Sequence, residues 1–289
     1  MTPTLVRQHL RHAGPASRVD RRVRARDWAE IQERMLVPLH EAVYERLEVG
    51  GGTRVLGLGC GSGLALLTAA SRGAAVTGVD DSSLERVRLA RERLLPEGHG
   101  AEGLGAHPRG DARIVWGTPA DLSGAGQPAY DLVTAFEPVG GVTGDSEGLA
   151  EVLETAAPLA ARGAAVVLVG WGPPERCATS AVLRGVGRLA EPPRGGGWRP
   201  ARRDDLEEIA QRAGLGLDGS GRVACPFGYA DVESAVRGLL STGLLDAAVA
   251  ATDEVQVDKE LNEALHPHRR RDGTVWMPNV FRYLIARTR

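Results

Sequence analysis

The hydrophobic positions between residues 54 and 169 fall into short apolar runs that alternate with amphipathic segments. Short apolar runs bounded by glycine or polar residues are typical of buried strands, whereas apolar residues at every third or fourth position are typical of helices. The pattern predicts strands at 54–58, 74–79, 112–116, 130–136 and 164–169, and helices at 64–71, 84–95 and 149–159. Because nearly every strand residue is apolar, we expect a parallel sheet covered by helices on both faces, which is the α/β class.

The amino-terminal region divides into two segments. Residues 1–26 are polar and arginine-rich, which favours a solvated or partly ordered arm over a flap that closes on a ligand. From Asp27 onward, apolar residues recur at helical spacing as far as Leu47. We therefore predict amino-terminal helices, acting as a lid, within residues 27–50. A break or kink is expected at Pro38, since proline has no N–H to donate inside a helix.

The alternation of strands and helices changes after Trp171. Helices are predicted at 173–189 and 204–213, a strand at 221–227, mostly helix over 231–263, and a last strand at 280–285. We interpret residues 51–289 as one core domain. Within it, two helical insertions, at about 173–213 and 229–272, are expected to cover the carboxyl ends of the strands, where ligands bind in α/β proteins.

The composition is that of an ordinary globular protein and disfavours several kinds of partner. Of the 289 residues, 43% are hydrophobic and 25% are charged, and the formal net charge is −2. Nucleic-acid binders usually carry an overall positive field, and a membrane span needs roughly 20 apolar residues in a row. Neither feature is present, and residues 1–12 lack a secretory signal. We expect a cytoplasmic protein without nucleic-acid or membrane partners; a homodimer stays open.

The cysteines add no further chemistry to this description. Cys60, Cys177 and Cys225 are odd in number, far apart and in no CxxC pair. Such spacing predicts neither a disulfide framework nor a metal site, and free thiols suit a reducing compartment.

A glycine-rich turn follows the first predicted strand and marks a ligand site. Residues 59, 61 and 63 form a GxGxG pattern, with Cys60 and Ser62 between the glycines. Glycine lets the backbone approach a ligand without a Cβ clash, and the N–H groups that open the next helix point to the same place. The dinucleotide fingerprint GxGxxG fits in neither register, and no GxxxxGK[ST] loop exists.

Together with the acidic pair Asp80-Asp81 that ends the second strand, this turn resembles motif I of class I S-adenosylmethionine (SAM)-dependent methyltransferases. Several other segments resemble a bacterial group of small-molecule methyltransferases, namely residues 27–31, 169–175, 225–227 and 272–283. The resemblance implies a Rossmann-like sheet of seven strands in which only the last is antiparallel. It also implies SAM as the cofactor, with residues 59–63 around its methionine part, Asp80 at the ribose, Asp81 near the adenosine and Phe136 beside the sulfonium.

Two positions depart from the family pattern. Gly57 stands where the family usually has an acid that helps to anchor the SAM amino group, and Thr118 stands where an acid often lies near the adenine. Thr118, Pro119 and Ala120 are still expected to contact the cofactor, with backbone N–H groups near Ala120 or the side chain of Asp121 replacing the adenine contact. The sequence does not indicate what replaces the acid at position 57.

Methyl transfer requires an in-line arrangement of nucleophile, methyl carbon and sulfur, and a base only when the acceptor carries a proton. Glu137, which follows the fourth strand, and His40, on the amino-terminal helices, are the candidate catalytic residues. A contact to the cofactor or to the backbone is the alternative role for Glu137. His266 and His268 are weaker candidates. Trp28 is expected to contact the cofactor, and could form an aromatic wall with Trp171, Phe227 and Tyr229.

The function predicted from these features is methyl transfer from SAM to an O or N atom of a small molecule, such as a specialised metabolite. The sequence Phe136-Glu137-Pro138-Val139 differs from the [NDS]PP[YF] motif of amino-directed nucleic-acid methyltransferases, which also disfavours nucleic acid as the acceptor. Two alternatives stay open: a protein of this fold that binds SAM but runs a non-methylating reaction, and a non-catalytic partner subunit.

Overall fold

The computed structural model describes residues 20–95, 112–122, 129–141, 143–190 and 199–289. Of the arm predicted for residues 1–26, residues 1–19 therefore lie outside the described residues. None of the helices in the described ranges has the length and apolar character that a membrane span needs.

The amino-terminal helical segment begins earlier than its hydrophobic pattern predicts. Helix α1 spans Arg21–Asp27, and the Asp20 side chain caps it by accepting from the backbone N–H of Arg22. The chain continues through a π-helical turn, Trp28–Gln32, and a 3₁₀ turn, Glu33–Leu36, into α2, Val37–Arg46. The predicted break near Pro38 is confirmed. Proline lies in the first turn of α2, where its missing N–H costs no helical hydrogen bond.

The predicted alternation of strands and helices is confirmed in the first half of the core. The order is β1 Arg54–Leu58, α3 Leu64–Ser71, β2 Ala75–Asp80, α4 Leu84–Leu94, β3 Ala112–Trp116, β4 Tyr130–Val139, α5 Asp145–Ala156 and β5 Ala160–Trp171. The buried strand residues contact helices on both faces of the sheet, which explains their nearly continuous apolar sequence.

The second half contains more separate elements than the sequence pattern indicated. They are α6 Ala178–Gly187, α7 Asp205–Arg212, β6 Gly216–Ala224, β7 Phe227–Tyr229, α8 Val232–Ser241, α9 Asp246–Ala251, α10 Glu254–Leu265, β8 Val275–Met277 and β9 Val280–Arg287. The strand predicted at 221–227 is corrected to two strands. Pro226, which has no N–H, lies between them, and β7 leaves the main sheet to pair with β8.

The main sheet has seven strands in the order β3-β2-β1-β4-β5-β9-β6. The neighbours from β3 to β5 pair in parallel, whereas β9 pairs antiparallel with both β5 and β6. This is the predicted topology, with the last strand antiparallel. The carboxyl ends of β1, β2 and β4 consequently lie side by side at one edge, and the candidate residues follow those ends.

Two hydrophobic cores sandwich this sheet. One contains apolar residues of α2, α3, α4, α6, α8 and α10, and the other contains those of α5 and α7. Of the two stretches predicted as a helical cover, 173–213 forms α6 and α7, and α7 packs on the sheet against β5, β6 and β9. The stretch 229–272 includes α8, which packs against α1 and the π-helical turn.

Candidate functional site

The three glycines of the loop after β1 have left-handed backbone conformations, with φ of +55° at Gly59, +55° at Gly61 and +80° at Gly63. A Cβ at Gly59 would lie 3.5 Å from Glu137 Oε2, inside a cleft above the sheet edge. A Cβ at Gly63 would instead lie 3.0 Å from Ala90 Cβ on α4. Gly59 thus borders the cleft, whereas Gly63 allows α3 and α4 to pack closely.

The carboxylate of Asp80 holds the glycine loop in place from the end of β2. Its Oδ2 accepts from the backbone N–H of Gly61 at 2.8 Å, and Oδ1 accepts from the N–H and hydroxyl of Ser82 at 2.8 and 2.6 Å. Asp80 is buried. Since a carboxylate can accept about four hydrogen bonds, one acceptor position is left for a ligand.

The cleft has a wide chamber of about 310 Å³ on the β2 side. Four of the residues predicted as cofactor contacts contribute to its walls, namely Asp80, Asp81, Thr118 and Pro119, whereas Ala120, predicted with them, does not. The rest of the lining includes Gly117, Pro138, Val139, Leu149, Val152 and Leu244. This chamber therefore combines an acidic edge with an apolar interior.

The side chain of Asp121 is used within its own loop. Its Oδ2 accepts from the backbone N–H of Thr118 at 2.8 Å and from the Thr118 hydroxyl at 3.2 Å. These bonds shape the turn that presents Thr118 and Pro119 to the wide chamber. In this arrangement Asp121 points to the loop rather than to the chamber.

A narrow chamber of about 30 Å³ lies on the other side of the glycine loop. That volume is the space of about two water molecules. Four predicted site residues line it: Trp28, Cys60, His40 and Phe136. The rest of its lining comes from five elements and the glycine loop: Glu33, Leu36, Gly57, Gly61, Ala65, Leu66, Arg86 and Thr134. Leu58, Gly59 and Glu137 line both chambers and so mark their junction.

The missing acid at position 57 is explained by packing. A Cβ at Gly57 would lie 2.9 Å from Leu66 Cδ2, and a Cβ at its sheet partner Gly78 would lie 2.6 Å from Leu66 Cδ1. The Leu66 side chain therefore fills the space above both glycines. An acidic side chain at residue 57 would have to displace the Leu66 side chain.

A buried charged cluster, formed by Glu33, Ser62 and Arg93, ties the amino-terminal segment to the glycine loop. The Ser62 hydroxyl donates to Glu33 Oε2. Arg93 Nη1 donates to the same Oε2 at 3.0 Å and to the Ser62 backbone oxygen at 3.0 Å. Ser62, predicted as a cofactor contact, is fully buried and lines neither chamber. It braces the loop from behind because its hydroxyl is committed to Glu33.

Arg86, in the first turn of α4, places a positive charge in the narrow chamber. Its Nη2 donates to the Ser241 backbone oxygen at 2.7 Å, and its guanidinium lies 4.2 Å from the centre of the Trp28 ring. Desolvation lowers the pKa of Arg86, and the negative charges of Glu137 and Asp80 oppose this effect. Arg86 links the end of α8 to the cleft.

The two candidate bases have different environments. Glu137 lies at the junction of the chambers and is exposed to the cleft. Desolvation raises its pKa, and Arg86 opposes the rise. His40 is buried with its ring centre 4.6 Å from that of Phe136, and burial lowers its pKa to about 3. His40 is therefore neutral and a very weak base near neutral pH.

The remaining histidine, aromatic and cysteine candidates do not supply a base, an aromatic wall or a reactive thiol. His266 and His268 line neither chamber. Phe227 packs against Trp171 and Tyr229, so these rings form part of the core rather than a wall of the cleft. Burial raises the pKa of the Cys60 thiol, with the nearby Asp80 and Glu33 adding to the effect, so its reactive thiolate is disfavoured.

Comparison with solved structures connects this architecture to known proteins. The chain is similar to the YcgJ protein of Bacillus subtilis, with 17% identity, coverage of 86% of this chain and 97% of that one, and a TM-score of 0.51. At this identity the likeness establishes the fold. The chain has the class I methyltransferase fold. No protein-family model matches the sequence, and no curated protein matches it.

Two further structures of this fold are similar over most of their length. One is a SAM-dependent methyltransferase from Methanosarcina mazei, with 16% identity, coverage of 86% of this chain and 96% of that one, and a TM-score of 0.48. The other is a SAM-dependent methyltransferase from Thiobacillus denitrificans in complex with S-adenosylhomocysteine, with 20% identity, coverage of 89% and 92%, and a TM-score of 0.45.

Within this methyltransferase fold, sequence reasoning missed three residues of the cleft and its support: Glu33, Arg86 and Arg93. Glu33 carried a usable signal, because it is an acid on the apolar segment that precedes β1. Arg86 and Arg93 lie on α4, where the sequence pattern indicated an ordinary solvated face. Their partners come from other elements, so the helical pattern alone could not identify them.

Proposed function

We propose that this protein binds SAM in the cleft between α4, the glycine loop and the amino-terminal helical segment. The observation that carries the proposal is a glycine cradle, Gly59 and Gly61, held by Asp80 at the junction of two chambers. The residues present fit this ligand. A Cβ at Gly59 or Gly61 would protrude into the cradle, and the buried Trp28 Nε1 has no hydrogen-bond partner among the described residues.

The two chambers suit the two ends of SAM. We assign the adenosine to the wide chamber, where Asp80 and Asp81 are available to the ribose hydroxyls and an apolar interior is available to the base. Thr118 and Pro119 border the same space. The methionine part follows the glycine loop from the junction of the chambers, and only the charged end of its amino acid group is assigned to the narrow chamber. This division follows the rule that ligands of open α/β sheets bind beyond the carboxyl ends of the strands.

We further propose that the protein is a methyltransferase acting on an O or N atom of a small molecule, with a specialised metabolite as the expected acceptor. SAM supplies a methyl group on a positively charged sulfur. Glu137 lies at the junction of the chambers, and a carboxyl group whose pKa is raised is a better proton acceptor near neutral pH than an ordinary one. The formal net charge of −2 favours a small acceptor over nucleic acid. A cytoplasmic location and a homodimer stay predictions.

Isothermal titration calorimetry with SAM and S-adenosylhomocysteine tests the binding proposal. Both ligands are expected to bind the full chain in one-to-one stoichiometry. Absence of heat at millimolar ligand would contradict it.

Methyl transfer is tested separately by incubation with a panel of small O- and N-nucleophiles. Each methyl group transferred must yield one S-adenosylhomocysteine, which mass spectrometry quantifies. A non-methylating SAM-binding protein is the second candidate, because Gly57 stands where the family usually has an acid and Leu66 packs against that position. A product formed from a SAM-bound protein without S-adenosylhomocysteine would favour it.

A further inference from the structure

The narrow chamber has to bind an ammonium and a carboxylate if SAM lies in the cleft, and β1 offers no acid for the ammonium. Leu66 fills the place of an acidic side chain at Gly57. An ammonium taken out of water needs a negatively charged or hydrogen-bonded partner, since an unpaired buried charge is costly. The partner must come from another element.

Glu33, on the 3₁₀ turn before α2, has a carboxylate with one committed and one available oxygen. Oε2 accepts from Ser62 Oγ and Arg93 Nη1. Oε1 makes no hydrogen bond to any described residue and lies 3.3 Å from the position of a Cβ at Gly61. Glu33 is 5% exposed. The bonds to Oε2 therefore fix the carboxylate while Oε1 faces the glycine cradle.

Trp28 brings a hydrogen-bond donor to the same point. Its indole Nε1 also lies 3.3 Å from the position of a Cβ at Gly61, and Trp28 is 8% exposed. Nε1 is buried and has no partner in the described part of the chain. An unsatisfied buried donor is destabilising, and an anionic ligand atom at this position would satisfy it.

We propose that Glu33 Oε1 accepts a hydrogen bond from the ammonium of the SAM amino acid group, and that Trp28 Nε1 donates one to its carboxylate. This inference rests on the proposed function. The amino-terminal segment thereby supplies the recognition of the amino acid group that β1 lacks. Glu33 and Trp28 are binding residues, and Ser62 and Arg93 position the Glu33 carboxylate.

The experiment compares S-adenosylhomocysteine with 5′-methylthioadenosine, which contains the adenosine and sulfur but no amino acid group. Calorimetry is performed on the wild-type chain, Glu33→Gln and Trp28→Phe. Each variant is expected to bind S-adenosylhomocysteine about tenfold or more weakly, because each loses one hydrogen bond to a charged group. Affinity for 5′-methylthioadenosine should stay within about twofold of wild type.

The matched control is Glu30→Gln, which removes the same charge from an exposed residue of the π-helical turn. It should change neither affinity. The ratio of the two affinities within one variant is independent of the folded fraction, so partial unfolding of Glu33→Gln does not obscure the result.

Two outcomes are negative, and they differ. If Glu33→Gln lowers the affinity for both ligands equally, or for neither, Glu33 only supports the loop and the inference is wrong. If the wild-type chain binds neither ligand, the proposed function itself fails.

Discussion

The wide and narrow chambers of the cleft are built in different ways. The wide chamber is formed mainly by the ends of core strands, the turns that follow them and α5, with Leu244 as an added wall residue, and it is about ten times larger in volume. The narrow chamber is closed by the amino-terminal segment, which contributes Trp28, Glu33 and His40. The shared scaffold thus provides one chamber, whereas residues outside the strand-helix repeat complete the other. Adenosine recognition should depend on the scaffold, and amino acid recognition on the added segment.

The largest effect is expected at Asp80, which serves both sides of the cleft through the glycine loop. Asp80→Ala removes a carboxylate that accepts from Gly61 and Ser82. The variant loses this support of the loop together with the acceptor position left for the ligand. Since a hydrogen bond to a charged group contributes about 1.5–3 kcal/mol, affinity should fall about a hundredfold. Calorimetry should show this loss for both S-adenosylhomocysteine and 5′-methylthioadenosine.

Asp81→Ala is the matched control for that variant. Asp81 is exposed and lines only the wide chamber of the two. Loss of the Asp81 carboxylate should lower the affinity for both ligands by less than about tenfold, as expected for a single solvent-exposed contact. Unchanged affinity in Asp80→Ala would contradict the assignment of Asp80 to the SAM site. It would also contradict the role of Asp80 in connecting the two chambers through the glycine loop.

A smaller effect, on folding stability, should come from His40 at the wall of the narrow chamber. The unfolded chain protonates His40 below its ordinary pKa of 6.5, whereas the folded chain resists protonation down to a pKa of about 3. Its contribution is present above pH 6.5 and is lost as the pH falls. Between about pH 7.5 and pH 5, wild type should lose about 2 kcal/mol more unfolding free energy than His40→Leu.

Urea denaturation of both proteins across this pH range measures the difference. Acidic groups that titrate elsewhere affect both chains alike and cancel. If the unfolding free energies of wild type and His40→Leu change in parallel with pH, water reaches His40. The narrow chamber would then be as accessible to solvent as the wide one.

The smallest expected effect is a difference in ligand binding between alanine variants of two glycines in the same loop. Gly61→Ala and Gly63→Ala both place a side chain in the left-handed region, at a cost of about 1–2 kcal/mol. At Gly61 the new Cβ approaches Glu33 and Trp28, so S-adenosylhomocysteine should lose about tenfold more affinity than 5′-methylthioadenosine. At Gly63 it meets Ala90, so only the thermal midpoint should fall. An equal shift in the ligand ratio for both variants would argue against separate chambers.

The same division explains how much the sequence could reveal. Strands β1 to β5, the glycine loop and Asp80 can be predicted from local patterns. The hydrophobic periodicity of a strand, the glycines of a turn and the residue that ends a strand each depend on only a few consecutive residues. Glu33 and Arg93 each contact Ser62 across about thirty residues of chain, and no local pattern contains that pairing. The filling of the Gly57 position by Leu66 likewise depends on how α3 settles over β1 and β2.

The start of α1 differs from the sequence-based prediction for a related reason. Residues from Arg21 to Arg26 are mostly arginine and carry little hydrophobic pattern, yet Ala25 is buried and Arg24 pairs with Asp246 at 2.6 Å. The contacts that order this helix come from distant elements. The polar composition therefore indicated a solvated or partly ordered arm as far as residue 26, whereas the structure has a helix from Arg21.

The π-helical turn at Trp28–Gln32 has a consequence for how this protein tolerates changes in length. The N–H of Glu33 donates to the oxygen of Trp28, five residues back, so the turn holds one residue more than an α-helical turn. Removing a single residue from it would restore α-helical bonding and rotate Trp28 by about 100° relative to Glu33. Both side chains would still be present, but they would no longer face the same point at Gly61. The number of residues in this turn is therefore as much a part of the ligand site as their identity.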